Sequence, residues 1–218
     1  MNGTFRSPGD GGGLADVLRR RYLLRLLVKK ELRARYHGSV LGMLWSYIKP
    51  AAQFSVLYFV IGLFMRMNSN VDNYAIYLFS GIVVMNFFGE AFGNATRSIT
   101  GNYALVKKIY LPRELFPVAS VAVSFTHFLP QVVVLVAGCL VTGWRPSLLQ
   151  LLAGCGAFVI LAVFALGLGL IFGALNVIFR DFENLVDLVL MMVTWTSPVL
   201  YTWTLVTGAI GTGGLWTL

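Results

Sequence analysis

Five long apolar runs dominate this 218-residue chain, and they restrict it to folds that water does not surround. They are Leu41 to Met65, Tyr74 to Ala95, Leu115 to Thr142, Leu148 to Ile178 and Leu185 to Trp203. A helix rising about 1.5 Å per residue needs about 20 residues to cross the hydrocarbon core of a bilayer, so each run is a candidate span. The third and fourth exceed that length and must tilt or continue beyond the membrane. Charged residues make up only 12% of the chain, about half the usual share in soluble domains, which leaves too little polar surface to cover a water-soluble globule. The reading is an all-α, polytopic membrane protein.

The same composition excludes other classes. Cys139 and Cys155 both lie in apolar runs with no His or second Cys beside them, so neither a disulfide framework nor a zinc site has enough ligands. The net charge of +8 flanks the apolar runs instead of forming a basic stripe with interleaved aromatics, which excludes nucleic acid as a partner. No GxxxxGK[ST] loop is present, and the glycines Gly167, Gly169 and Gly173 fall inside an apolar helix with no strand before them. Gly169 and Gly173, like Gly89 and Gly93, read as small residues for close helix packing. The two histidines, His37 and His127, are far apart, no H-E-x-x-H or G-x-S-x-G occurs, and the acids form no pair at an interface. No enzyme chemistry and no metal site is expected.

Charge placement gives organisation and orientation. Residues 1–13 are Gly, Ser, Pro and Asp without periodicity and read as a disordered tail. From 14 to 38, Leu14, Val17, Leu18, Leu24, Val28, Leu32 and Tyr36 recur at steps of three and four or their multiples, with most Lys and Arg elsewhere on the wheel. That pattern predicts an amphipathic helix at the membrane interface, followed by a transmembrane domain over 39–218. A cleaved signal peptide is excluded by the long basic region and by Lys49, Pro50 and Gln53 in the first apolar run. Nine Lys and Arg precede the first run, four lie in the second connection (Arg97, Lys107, Lys108, Arg113) and one in the fourth (Arg180). The alternate connections hold only Arg66 and Arg145, so the positive-inside rule places the N-terminus in the cytoplasm. The uncharged segment 206–218 is too short to return across the membrane and reads as re-entrant or interfacial on the outer side.

Two features point to a conduit. Glu90 lies within the second run, where an unpaired carboxylate costs on the order of 3 kcal/mol, so it must face protein or a wet cavity. Asn86, Glu90 and Asn94 follow at i, i+4 and i+8 and form one polar stripe, which serves either as glue between helices or as part of a channel or gate. Tyr47, Phe54 and Tyr58 in the first run lie within about 60° of one another on a helical wheel. The fifth run offers Trp195 and Tyr201 beside Thr194, Ser197, Pro198 and Thr202. Aromatics at this depth can line such a conduit; the competing reading is an ordinary aromatic belt at the lipid interface, for which Phe54 and Tyr58 lie deep.

Three motifs in register carry a family resemblance. Arg35-Tyr36-His37-Gly38-Ser39-Val40-Leu41-Gly42-Met43-Leu44-Trp45 ending in Pro50, the basic and apolar stretch Lys107 to Pro112, and Asn176-Val177-Ile178-Phe179-Arg180-Asp181 followed by Ser197-Pro198-Val199-Leu200-Tyr201 together resemble type-2 ABC exporter permeases for polysaccharides, O-antigen and teichoic acid exporters among them. The resemblance covers about Leu23 to Tyr201. It implies six spans per subunit, of which this chain shows five, a homodimer enclosing a polymer channel, and a bacterial cytoplasmic membrane location. It further implies a lipid-linked glycan as cargo and a separate ATPase subunit that holds ATP and Mg²⁺. Arg35, Tyr36, Val106, Lys107, Lys108, Tyr110, Arg180 and Asp181 are then the expected ATPase-coupling residues, and Tyr47, Phe54, Tyr58, Glu90, Trp195 and Tyr201 the expected channel lining. A drug- or lipid-exporting permease of the same superfamily, an integral membrane glycan-transfer enzyme and a proton-coupled carrier are the alternatives.

Overall fold

A computed structural model describes residues 13–64, 73–108, 111–143, 147–197 and 199. The described residues form helices and turns with no strand among them. The expected interface helix is broken in two: α1 (Gly13–Arg19) and α2 (Arg21–Tyr36) meet at Arg20, whose φ of −97° and ψ of 41° leave the helical region. The apolar stripe of α2 also finds protein. Leu27 is buried with Val17 of α1 against Leu115, Phe116 and Ala119 of a later helix, with Leu24 and Val28 packed beside them. Tyr22 and Leu26 on the other side stay exposed.

The first span is not a single α-helix. A 3-10 turn at Gly42–Leu44 leads into α3 (Trp45–Leu57), which passes into a π-helical turn at Tyr58–Phe64. Widened turns of this kind are rare and insert a residue into the helical ladder. Here the widening places Gly62 under the ring of Tyr74, where a Cβ would stand 2.9 Å from Tyr74 Cε1. Pro50 inside α3 lacks the N–H that the Ser46 carbonyl would otherwise accept.

Three uninterrupted spans form the bundle: α4 (Tyr74–Gly101), α6 (Leu115–Val141) and α7 (Leu148–Ile178). A short α5 (Tyr103–Lys108) follows α4 immediately. With the composite Gly42–Phe64 segment, four described helices are long and apolar enough to cross a membrane. The expected fifth span appears as α8 (Phe182–Thr196), whose last described turn ends at Ser197. Its remainder, the segment 206–218 and the site residues Tyr110 and Tyr201 lie outside the described residues.

Helix α4 is the hub, with α6 and α7 against it along most of its length and α3 and α8 touching it less. The α4–α7 seam depends on small residues. A Cβ on Gly169 would stand 2.4 Å from the Ala95 Cβ, so only glycine allows this approach there, and one on Gly173 would sit tightly at 3.2 Å from the Ala95 carbonyl oxygen. Gly89 differs, because the nearest atom to its notional Cβ is 3.9 Å away. Further along, Phe87, Ala91 and Ala165 are buried among Phe128, Phe158 and Leu161. The start of α7 is fixed by a capping box in which Gln150 N donates to Ser147 Oγ at 3.3 Å and Ser147 N to Gln150 Oε1 at 3.0 Å.

Candidate functional site

The opposite face of α4 is polar. Asn86, Glu90 and Asn94 point into a cavity of about 880 Å³ that α3 and α6 close from the sides and the end of α2 closes below. Helix α2 ends at Tyr36 with His37 as its extended C-cap, and Gly38 (φ +76°) and Gly42 (φ +48°) take left-handed conformations that turn the chain into α3. The last turn of α2 is thereby held against the cavity, with Arg35 and Tyr36 facing into it.

Four side chains from three helices meet there. Arg35 Nη1 pairs with Glu90 Oε1 and lies 2.9 Å from His127 Nδ1. His127 Nδ1 lies 2.7 Å from the same Glu90 oxygen, and His127 Nε2 lies 2.9 Å from the Tyr36 hydroxyl. The Tyr36 hydroxyl reaches Ser46 Oγ on α3 at 2.9 Å. Glu90 therefore has two basic partners inside a membrane-spanning bundle, which removes most of the cost of a bare carboxylate there. Above this floor the cavity is lined by amides: Asn86 Nδ2 donates to Gln53 Oε1 at 3.2 Å, and Gln131 Nε2 donates to the His127 carbonyl at 3.2 Å. Among the described residues, Gln131 Oε1 is buried without a hydrogen-bond partner. Lys49 and Trp45 complete the α3 wall.

Beyond Pro50 and Gln131 lies a second, almost wholly apolar cavity of about 330 Å³ between α3, α4 and α6. Tyr47 and Phe54 line it with Ile76, Phe79 and Leu135. Tyr58 departs from the expected lining. It packs with Phe54 into the cluster around Tyr74, Leu78 and Ile82, at ring separations of 5.5 Å to Phe54 and 6.3 Å to Tyr74. Tyr58 keeps regular helical register with Phe54, its N–H donating to the Phe54 carbonyl, and the face they share meets the start of α4 around Tyr74. Trp195 is exposed on α8, which touches α4 and α7 and so lies apart from both cavities.

The residues expected to couple to an ATPase divide. Arg35 and Tyr36 are turned inward to the cavity floor. Val106 packs against the cluster of Leu27 and Leu115, which fastens α5 to α2. Lys107 lies 4.5 Å over the Tyr103 ring, and Lys108 is exposed. Arg180 and Asp181 sit exposed in the turn from α7 to α8, where the Asp181 carbonyl accepts from Asn184 N and Leu185 N. Nearby, Arg97 of α4 pairs with Asp187 of α8 at 2.5 Å.

Sequence reasoning passed over the α6 wall. Ser120, Ser124, His127 and Gln131 fall at i, i+4, i+7 and i+11, a polar stripe inside an otherwise uncharged span, and all four are buried. That periodicity was available in the sequence and matches the stripe on α4.

At the rim of the same interface, Ser120 Oγ donates to Glu31 Oε2 at 3.4 Å and Asn102 Nδ2 to Glu31 Oε1 at 3.5 Å. Lys30 Nζ donates to Asn102 Oδ1. Burial pushes the Glu31 carboxyl above its ordinary pKa; the hydrogen bonds from Asn102 and Ser120 and the charges of Lys30 and Arg35 oppose that shift without cancelling it.

Residues 22–208 match the family described as ABC-2 type transporter. The chain is similar to the O-antigen export system permease protein RfbA of Klebsiella pneumoniae, with 34% identity over 179 residues covering 82% of this chain and 68% of that protein. The Myxococcus xanthus protein of the same name is 28% identical over 85% of this chain and 70% of its own length. The capsule polysaccharide export inner-membrane protein CtrC of Neisseria meningitidis serogroup A is 24% identical over 78% of this chain and 64% of its own.

Proposed function

Because the chain belongs to the ABC-2 type transporter family, we propose that it is the membrane permease of an ATP-driven exporter that carries a cell-surface polysaccharide across the inner membrane. The observation that carries this reading is the amide-lined cavity between helices whose other faces are apolar. A hydroxyl-rich cargo needs a wet path with many weak hydrogen-bonding groups, and Gln53, Asn86, Asn94 and Gln131 supply them without fixed charge. A drug or lipid cargo would be served by an apolar lining. Tyr47 and Phe54 then offer stacking surfaces in the second cavity beyond Pro50.

In this reading the cargo is a lipid-linked glycan, two copies of the chain enclose the path, and a separate ATPase subunit holds ATP and Mg²⁺. The end bearing α2, α5 and the α7–α8 turn is cytoplasmic, since it collects the Lys and Arg. Exposed Lys108, Arg180 and Asp181 present there to the ATPase, while Arg35 and Tyr36 act from inside the cavity floor.

The test is export in a strain whose own gene for this permease has been deleted. Restoring this chain should move the glycan from the cytoplasmic pool to the cell surface, read by surface labelling of the sugar. Unchanged surface glycan in the deletion strain would overturn the reading.

A further inference from the structure

Helix α2 is fastened to the bundle at two polar points one helical turn apart. The inner point is Arg35, on Glu90 of α4 and His127 of α6. The outer point is Lys30 and Glu31, on Asn102 and Ser120. Asn102 is a joint: it caps the end of α4 with its N–H on the Ile99 and Thr100 carbonyls, while its own carbonyl accepts from Leu105 N and Val106 N at the start of α5. Any displacement of α5 therefore pulls on the residue that holds Lys30 and Glu31.

The inner point is built so that it can open. Arg35 offers only donors and ionised Glu90 only acceptors, whereas His127 Nδ1 can donate or accept but not both. With the proton on Nδ1, His127 donates to Glu90 and its Nε2 accepts from the Tyr36 hydroxyl. With the proton on Nε2, Nδ1 accepts from Arg35 and Nε2 donates to Tyr36. The first arrangement still gives Glu90 a donor when Arg35 has left, so withdrawal of α2 does not strand a bare carboxylate in the span. Among the described residues, Lys49 from α3 is the remaining charged group lining the cavity.

We propose that α2 is a clasp over the polar cavity, and that Glu31 and Asn102 are positioning residues through which α5 sets whether Arg35 is engaged with Glu90 and His127 or withdrawn. The clasp rests on reading the cavity as the transport path, but its test needs neither glycan nor ATPase, so the two can fail separately.

The test uses the full chain carrying Cys139→Ser and Cys155→Ser in open membrane fragments, with a single reporter, Asn94→Cys, in the cavity wall. Its rate of labelling by a charged, water-soluble maleimide reports how far the cavity is open. Glu31→Ala or Asn102→Ala should raise that rate about tenfold, as loss of a charge-assisted hydrogen bond would. Arg35→Ala should do the same, and Arg35→Ala with Asn102→Ala should label no faster than the faster single variant, because one helix opens in all three. Glu31→Gln, which keeps an oxygen for Asn102 and Ser120, should restore the parent rate. Parent rates in both Glu31→Ala and Asn102→Ala, or multiplied rates in the double variant, would overturn the clasp. So would an equal rise at an Ala165→Cys reporter, buried in the α4–α7 seam, which would mean that the bundle itself had loosened.

Discussion

Helix α4 meets its neighbours through two faces of opposite chemistry. Toward α7 it presents Ala91 and Ala95, and the seam closes until Gly169 has no room for a methyl group. Toward α3 and α6 it presents Asn86, Glu90 and Asn94, and the helices stand apart around a cavity of about 880 Å³. Apolar side chains gain little from leaving lipid for protein, so the dry face must be held by close packing, and close packing fails abruptly when a methyl is added. The wet face is held by hydrogen bonds, which can be exchanged for others at small net cost. One face thus serves as a fixed mount and the other as a surface that can open.

The largest effect is expected on the dry face. Gly169→Ala forces a Cβ to 2.4 Å from that of Ala95 and should lower stability by about 1–3 kcal/mol, with Gly169→Leu yielding no folded permease. Thermal unfolding in detergent measures this, and Ala95→Gly should recover most of the loss from Gly169→Ala. If Gly169→Ala unfolds like the parent, the contrast between the faces breaks.

On the wet face, Glu90→Gln should leave the unfolding midpoint close to that of the parent, since Arg35 and the cavity are partly open to water. Export should nevertheless fall about tenfold, because Arg35 loses the charge that engages it. Surface glycan per cell, normalised to permease in the membrane, checks this. A variant that unfolds but exports in proportion to what remains would make the wet face a second mount.

The smallest effect lies at the rim. Burial raises the Glu31 pKa in the folded protein, so the folded state holds the proton more tightly than the unfolded chain does. That contribution to stability is full below the ordinary carboxylate range and is lost as pH rises through the raised value. Across about pH 4 to 8, the parent should therefore lose stability relative to Glu31→Gln as pH rises from the ordinary value of about 4.3. Parallel curves for the two proteins would place Glu31 in open solvent and remove it from the docking of α2.

Much of this architecture was legible in the chain. The run lengths located α4, α6 and α7, and the basic residues marked one end of the bundle, because span length and charge position are properties of contiguous segments. The stripe of Asn86, Glu90 and Asn94 followed from helical periodicity alone, as did the small residues Gly169 and Gly173. What periodicity does not carry is the identity of the partner across a gap. Arg35 and Glu90 are 55 residues apart and Tyr36 and His127 are 91 apart, and their meeting depends on the turn at Gly38 and Gly42 and on how α2 crosses α6. The place of Tyr58 likewise depends on tertiary packing, since the face it shares with Phe54 meets Tyr74 at the start of α4. The sequence by itself determined where the long helices lie, their order and the polar face of α4, since these rest on neighbours within a few turns. Only the tertiary structure decided that two polar faces and the end of α2 enclose one cavity, because that depends on contacts between segments far apart in the chain.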